Sequence, residues 1–416
     1  MYVEKLTLKN YRGIRDLTID FDRRLNVFVG DNGCGKTTIL DAIVKGLGGA
    51  RYPLTAGVER SNLQSVLSIP FLDIMIGQDF AKFDLEFSRE GKKASVSSGS
   101  MPEHISSDLG SKFKRVDYLE ILHFPADRGN GLFDTPPSND LSNRLQTIDP
   151  KLRKIVDVNS MYSYALAWVR EEENKENLRF RKHVKAKKNV ELFEENQKLN
   201  AIKNVVAKVT GFSDFTYNSE SYSFEMSKVN GVDNTLLAFN QLSLGEQVFV
   251  GLLVTIAFYA TLNSTENAPT GGSYLFLIDE IELHLHPKWQ RKIIPALLNN
   301  FPNCQFIITT HSPQVLGEVS AQHIHVLKRN DDGDIVCSRP ERSKGLSSSE
   351  VLTEVMGQVA MNEELLGNLD KIYTWIEKED FEEAQELLSQ CEATYGELPS
   401  LLKARTVLDY SMPELA

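Results

Sequence analysis

The sequence predicts an α/β fold with a mostly parallel core sheet, flanking antiparallel strands, a helical insertion and a C-terminal helical tail. The runs YLFLID and CQFIITT are almost continuously apolar, which is typical of parallel strands covered on both faces. Near the start, strands over 3–9 and 17–29 flank a turn at 11–13. The second strand leads directly into the glycine-rich run GDNGCGKTT and a helix from about 37 to 47, which predicts a strand–loop–helix unit.

Composition and pattern divide the chain into four segments. We expect an N-terminal lobe over 1–137, which holds the glycine loop, and a charged helical insertion over 138–212. A C-terminal lobe over 213–340 carries the two apolar strands, and an acidic helical tail covers 341–416. The insertion is too short for the long antiparallel coiled-coil arms that sustained heptads build.

The net charge of −11 lies entirely in the tail. Residues 345–416 hold 15 Asp and Glu against 4 Lys and Arg, so the remainder holds 42 of each sign. Overall acidity therefore does not exclude nucleic acid as a partner. A basic run in the insertion makes nucleic acid a candidate partner, and a solvated helix face interleaved with acids is the equal alternative. This run comprises Arg179, Arg181, Lys182, Lys185, Lys187 and Lys188.

The remaining composition points to the cytoplasm. No window approaches the roughly 18 uninterrupted apolar residues of a membrane span, and the N-terminus has no signal-peptide core. Four cysteines are scattered without metal-binding or disulfide-framework spacing. We therefore expect a reduced compartment and no membrane partner.

The run from Gly30 to Thr37 matches G-x-x-x-x-G-K-[ST], and it lies between a strand and a helix as that motif requires. Backbone N–H groups of such a loop and the helix N-terminus bind phosphate. A glycine turn that matches by chance is disfavoured by the flanking elements. The motif predicts ATP as ligand, with Lys36 on the β and γ phosphates and the Thr37 hydroxyl on Mg²⁺. The predicted nucleotide-binding residues of the loop are Gly30, Asn32, Gly33, Cys34, Gly35, Lys36, Thr37 and Thr38.

Two adjacent carboxylates end the strand YLFLID. We expect Asp279 to hold Mg²⁺ and Glu280 to orient and deprotonate the attacking water. A pair of solvated acids at a strand exit is the alternative. The phosphate loop elsewhere in the chain favours the catalytic interpretation.

The run LSLGEQ at 242–247 resembles the signature sequence of ABC-type ATPases. Ser243 and Gly245 occupy the matching positions, and Leu244 stands where glycine is more usual. Serine and backbone N–H groups at a helix N-terminus make a second phosphate receptor. Ser243 and Glu246 also have the spacing of a capping box, which is compatible with phosphate binding.

Further positions match the same family. His311 in THS resembles the switch histidine that contacts the γ-phosphate, and a purely structural histidine is the alternative. ELHLHP occupies the D-loop position; His284 and His286 lack a third metal ligand nearby.

Two weaker matches complete the set. Gln78 in IGQDF lies where the Q-loop supplies a Mg²⁺ ligand, although a surface glutamine is equally compatible. Arg12 in NYRGI resembles the first-turn arginine of SMC and RecF-like heads, which contacts phosphate or the signature helix. A surface salt bridge is the alternative.

The ordered set, over about residues 1–330, resembles ABC-type ATPases of the SMC, RecF and OLD group and is most similar to the PtuA ATPase subunits of Septu anti-phage systems. The resemblance implies an ABC ATPase head that works as a homodimer or higher oligomer. ATP bound by Lys36 of one subunit is then closed over by Ser243 of the other and hydrolysed with Glu280.

The resemblance also implies a partner. We expect no nuclease domain in this chain and an HNH-type nuclease subunit beside it, so that the protein acts as the sensor and regulator of a defence complex. A RecF-like DNA-repair ATPase without a nuclease is the alternative. A transporter subunit is disfavoured by the switch region and insertion. The expected dock is the apolar face of the tail, unless the tail packs on its own head. This face comprises Leu369, Ile372, Ile376, Phe381, Ala384, Leu387 and Leu388.

Overall fold

A computed structural model describes residues 2–46, 82–89, 92–99, 121–124, 158–230, 233–262, 264–265, 268–358 and 362–412. The chain forms two compact units, Met1–Ser347 and Ser348–Ala416. Gln78 lies outside the described residues.

An antiparallel four-stranded sheet flanks the core of the first unit. Its strands are β1 (Tyr2–Tyr11), β2 (Ile14–Asp20), β4 (Lys82–Arg89) and β5 (Lys92–Gly99), in the order β2-β1-β4-β5. The buried residues of β1 and β2 pack in one cluster with those of the first helix, α1 (Lys36–Gly46). This sheet therefore supports the helix that follows the glycine loop.

The central sheet has six strands. They are β3 (Leu25–Gly30), β6 (Ile121–Phe124), β10 (Leu275–Ile278), β11 (Gln305–Thr309), β12 (Ile324–Arg329) and β13 (Ile335–Ser338). The order is β13-β12-β3-β11-β10-β6, and all pairs are parallel except β12 with β13. Every residue of β10 and β11 is buried, as in strands covered on both faces. The predicted mostly parallel sheet with antiparallel flanks is confirmed.

The strand expected over 17–29 is in fact two strands in different sheets. Between them the Asp22 carboxylate accepts hydrogen bonds from the backbone N–H groups of Arg24 and Leu25, at 2.8 and 3.3 Å. The Asn26 side-chain oxygen accepts from the Asp22 N–H at 2.7 Å. These side-chain bonds replace strand pairing and build a turn. The prediction failed because apolar residues resume directly after the turn.

The other elements of the first unit are helical, apart from one small sheet. The helices are α2 (Val158–Lys185), α3 (Gln197–Thr210), α4 (Leu244–Leu262), α5 (Pro287–Asn300) and α6 (Pro313–Leu316). The strands β7 (Phe212–Asn218), β8 (Ser223–Asn230) and β9 (Asp233–Ala238) form an antiparallel meander. The described part of the insertion, α2 and α3, is helical, and the four segment boundaries stay a prediction.

Helix α4 is apolar on nearly all sides. Among the described helices it is the one long and apolar enough to cross a membrane by length and composition, and 72% of that window is buried inside the fold. A helix that is hydrophobic all round is typical of a protein core. Its burial makes α4 the core helix that carries the signature run at its N-terminus.

The second unit is a small helical domain with its own core. A short turn (Ser348–Glu350) and a π-helix (Val351–Val355) precede α7 (Glu363–Glu377), α8 (Phe381–Tyr395) and α9 (Pro399–Ser411). The seven apolar residues expected to form a dock all belong to or pack against this core, with Ile372 and Ala384 fully buried. These side chains are therefore not a free docking face, because three amphipathic helices bury them against one another. A dock for a partner on the tail stays a prediction.

A buried histidine of β12 lies beside β3, the strand that leads into the glycine loop. The His325 ring, 2% exposed, stacks on Phe28 with centroids 4.5 Å apart and lies 3.2 Å from the Asn26 side-chain oxygen. Burial, followed by the charges of Arg339 and His323, lowers the pKa of His325 from 6.5 to about 3. The ring therefore stays neutral in the folded protein.

We predict that His325 makes stability depend on pH. Because its folded pKa is lowered, its contribution is fully present above 6.5 and declines as pH falls towards about 3. Protonation of His325 in the unfolded chain alone should lower the free energy of unfolding by about 2 kcal/mol between pH 7 and pH 5. His325→Leu should abolish this share of the pH dependence. Denaturant midpoints of both proteins at the two pH values measure it. An equal loss of stability on acidification in both proteins would contradict the prediction.

Candidate functional site

The glycine loop joins β3 to α1 at the centre of the sheet. A Cβ on Gly30 would lie 2.3 Å from the carbonyl oxygen of Leu327, so the neighbouring strand β12 requires glycine here. Lys36 is 7% exposed, and its ammonium donates to the carbonyl oxygens of Gly30 and Asp31 at 2.8 and 2.9 Å. The loop thus holds the positively charged ammonium of Lys36 against its own backbone.

Electrostatics link Lys36 to the acids at the end of β10. Burial lowers the pKa of Lys36, while Cys34 and the charges of Asp279, Glu280 and Asp31 oppose that shift. Lys36, Asp279 and Glu280 therefore share one electrostatic site. The structure thus brings the predicted phosphate-binding lysine close to the two carboxylates predicted for Mg²⁺ and water.

The Asp279 carboxylate connects three strand ends. Its Oδ2 accepts a hydrogen bond from the Thr37 hydroxyl at 2.8 Å, and its Oδ1 accepts one from the Thr309 hydroxyl. Its backbone N–H donates to Phe124 at 2.8 Å, and the residue is 4% exposed. Hydroxyl and carboxylate oxygens side by side are ligands that a hard divalent cation prefers.

Glu280 takes a left-handed backbone conformation, with φ of 47°. Its N–H donates to the Thr309 hydroxyl at 2.7 Å, and the next N–H, of Ile281, donates to the Thr309 carbonyl at 3.1 Å. Thr309 therefore orients both acids, a role that sequence reasoning missed. The signal was a hydroxyl at the end of an otherwise apolar strand.

The signature run begins α4 with the predicted capping box. The Glu246 carboxylate accepts from the N–H and hydroxyl of Ser243, both at 2.9 Å, and from the Lys228 ammonium at 2.7 Å. Burial raises the pKa of Glu246, but these hydrogen bonds outweigh it and lower that pKa overall. Within one chain, no hydrogen bond among the described residues joins Ser243 or Gly245 to the glycine loop.

Gly245 has a packing role that the sequence did not reveal. A Cβ there would lie 2.1 Å from the carbonyl oxygen of His284, so the start of α4 touches the loop after the two acids. His284 and His286 are exposed, and the described residues contain no cluster of three His, Cys, Asp or Glu suited to a metal.

Arg12 and His311 are each held by an acidic side chain. The Arg12 guanidinium forms an ion pair with Asp41 of α1 at 2.9 Å, and Asp41 is nearly buried. His311 follows β11, and its backbone N–H donates to the Glu282 carboxylate. Arg12 thus supports α1, the helix that follows the glycine loop, through Asp41. The nucleotide contacts expected of both residues stay predictions.

A second arginine lies at the loop mouth. The Arg329 guanidinium donates to the carbonyl of Gly33 at 3.2 Å and to that of Gly333 at 2.9 Å. It joins the β12–β13 hairpin to the glycine loop. Nothing in the local sequence marks this residue, since only the sheet order brings the hairpin beside β3.

The structure combines a glycine loop with lysine and threonine, an Asp-Glu pair at a buried strand end and a core helix capped at Ser243. Together these features define a P-loop ATPase of the ABC head type. A family model described as "AAA domain, putative AbiEii toxin, Type IV TA system" matches residues 25–317. The match covers well over half of the chain, and the protein belongs to this family.

Similar proteins have names that refer to retrons and to Septu. The "Retron Ec83 probable ATPase" of Escherichia coli is 29% identical over 84% of this chain and 75% of its own length. "Septu protein PtuA" of Bacillus mycoides is 25% identical over 85% of this chain but only 44% of its own length. The SMC head domain from Thermotoga maritima shares 16% identity, with a TM-score of 0.45 over 82% of this chain and all of that one.

We predict that two glycines of the loop differ sharply in tolerance. Gly30→Ala places a Cβ against the Leu327 backbone, whereas Gly33→Ala meets nothing within 4 Å and has only its φ of 80° to strain it. Gly33→Ala should cost about 1–2 kcal/mol of unfolding free energy, and Gly30→Ala should cost more. Denaturant unfolding of the matched pair measures this. Equal losses would show that β12 does not restrict the loop.

Proposed function

We propose that this chain is an ATP- and Mg²⁺-dependent ATPase head that dimerises around ATP and regulates a partner nuclease of HNH type in an anti-phage defence complex. The ATPase part rests on one observation above all: the Asp279 carboxylate, hydrogen-bonded to Thr37 and beside Lys36. The defence part is supported by the retron and Septu relatives.

The residues of the site divide the hydrolytic task. Lys36 exchanges its two carbonyl partners for β and γ phosphate oxygens, and the backbone N–H groups at the N-terminus of α1 would bind the same phosphates. Thr37 and Asp279 would hold Mg²⁺, which neutralises charge on the phosphates when bound. Glu280 accepts a proton from the attacking water, and His311 contacts the γ-phosphate. Gln78 would add a ligand for the ion.

The second half of the site comes from another copy of the chain. Ser243 and the free N–H groups at the start of α4 form a phosphate receptor with no hydrogen bond to the loop of their own chain among the described residues. An isologous dimer would place each receptor on the other subunit's nucleotide. The γ-phosphate then adds contacts only in the closed dimer, so hydrolysis acts as a timer for opening.

A RecF-like ATPase that binds DNA without a nuclease is the second candidate. A RecF protein of Acetivibrio thermocellus is 29% identical over 31% of this chain. The exposed basic run at the end of α2 also favours it, since Lys and Arg neutralise nucleic-acid phosphates. DNA-stimulated hydrolysis by the bare dimer, with no nuclease bound, would distinguish this function from the first.

We predict that two inactive variants restore activity when mixed. Lys36→Ala lacks the phosphate contact, and Ser243→Arg blocks the receptor. A mixed dimer nevertheless contains one site with both groups intact. An equal mixture should therefore recover about a quarter of wild-type turnover, if subunits exchange freely and the sites are independent. Steady-state ATP hydrolysis measures this, with Lys36→Ala mixed with Ser243→Arg,Lys36→Ala as control. No recovery after demonstrated exchange would exclude a shared site.

Native mass of the complex tests the partner and the dimer together. Co-expressed with its genomic neighbours, the protein should purify with a small HNH nuclease.

Glu280→Gln should accumulate the ATP-bound dimer because water is no longer deprotonated, and Lys36→Ala should bind no nucleotide. Glu341→Gln, at an exposed site, is the control. A bare dimer that forms only with ATP would favour the RecF-like function. Wild-type turnover in Lys36→Ala or Glu280→Gln would defeat the site assignment.

A further inference from the structure

The segment that carries His311 is held by two side chains that no assigned role uses. The Glu282 carboxylate accepts from the Thr310 hydroxyl at 2.7 Å through Oε2 and from the His311 backbone N–H through Oε1. An ionised carboxylate is purely an acceptor, so it suits these two donors. One side chain therefore fixes both residues that follow β11.

Gln290 of α5 makes the second connection. Its Oε1 accepts from the Ser312 hydroxyl at 2.7 Å, and its Nε2 donates to the Leu285 carbonyl at 2.8 Å. Glu282 and Gln290 together, here called the clamp, bind residues 310–312 to the loop 280–286. The two side chains reach that segment from different elements.

The loop itself is firmly anchored. Ile281 and Leu285 are buried, and backbone bonds join Leu283 to Glu280 at 2.9 Å and Leu285 to Glu282 at 2.8 Å. At its far end, the His284 carbonyl touches Gly245 at the start of α4. The loop thus lies between the signature helix and the His311 segment, in contact with both.

We infer that Glu282 is a positioning residue for His311, and that the clamp transmits displacement of the signature helix to the His311 segment. This inference rests on the proposed function, since it assumes that His311 acts on the γ-phosphate. In the closed dimer, a shift at the start of α4 moves the loop, and the clamp moves His311 with it. These contacts would connect the signature helix, which senses nucleotide, with the His311 segment, which takes part in hydrolysis.

The clamp is tested first without activity. Hydrogen exchange of the amides over 310–316 should accelerate at least about tenfold in Glu282→Ala, because the His311 N–H loses its acceptor. Gly245→Ala should accelerate the same amides by displacing His284, while Glu341→Ala should leave them unchanged. Unaltered exchange in Glu282→Ala would overturn the inference whether or not the protein hydrolyses ATP.

Kinetics then separate positioning from folding. In Glu282→Ala, kcat should fall about 10- to 100-fold, with ATP affinity within about threefold of wild type and an unfolding temperature close to it. Glu282→Asp retains two acceptor oxygens and should recover part of the loss. The double variant with His311→Ala should hydrolyse no more slowly than His311→Ala alone, since both changes remove one function.

The remaining outcomes decide against the inference. Multiplicative losses in the double variant would show that Glu282 does not act through His311. Full activity in His311→Ala, or lost ATP affinity in Glu282→Ala, would also show that Glu282 does not act by positioning His311. The proposed function fails separately if either Lys36→Ala or Glu280→Gln keeps wild-type turnover, and the exchange measurement still tests the clamp in that case.

Discussion

The candidate site depends on a single carboxylate that spans the width of three strands. Asp279 follows β10, and Thr37 follows the loop after β3, with β11 between them. Asp279 nevertheless reaches Thr37 directly, because its Oδ2 accepts from the Thr37 hydroxyl at 2.8 Å. Thr309 at the end of β11 holds the other oxygen of the carboxylate, since its hydroxyl donates to Asp279 Oδ1 and accepts from the Glu280 N–H. The parallel register of the three strands is therefore what creates the site.

Backbone packing at two glycines completes the geometry. Gly30 admits the Leu327 carbonyl of β12, and Gly245 admits the His284 carbonyl. Motif glycines are usually explained by the ligand, yet these two are required by neighbouring chain within the protein itself. Phosphate binding and internal packing thus restrict the same positions, and the loop is shaped before any nucleotide arrives.

Much of this arrangement was predictable from local pattern. Lys36, Thr37 and the Asp-Glu pair follow buried strands, and strand ends of a parallel sheet meet at one edge, so their proximity followed from the sequence. The capping box of Ser243 and Glu246 also followed from spacing. Glu282, Gln290 and Arg329 did not, because their partners lie 22 to 296 residues away and depend on sheet order. The turn at Asp22 was missed because the polar run Asp22, Arg23 and Arg24 is short and apolar residues resume directly after it.

The backbone of Glu280 has a consequence for how this position varies. A left-handed conformation costs a non-glycine residue about 1–2 kcal/mol, and glycine would adopt it without that strain. Folding alone would therefore favour glycine at 280, whereas the hydrogen bonds of the Asp279 side chain favour aspartate at 279. Substitutions at these adjacent positions thus differ in their effect on the fold: loss of Asp279 removes a structural connection, while Glu280→Gly would relieve backbone strain.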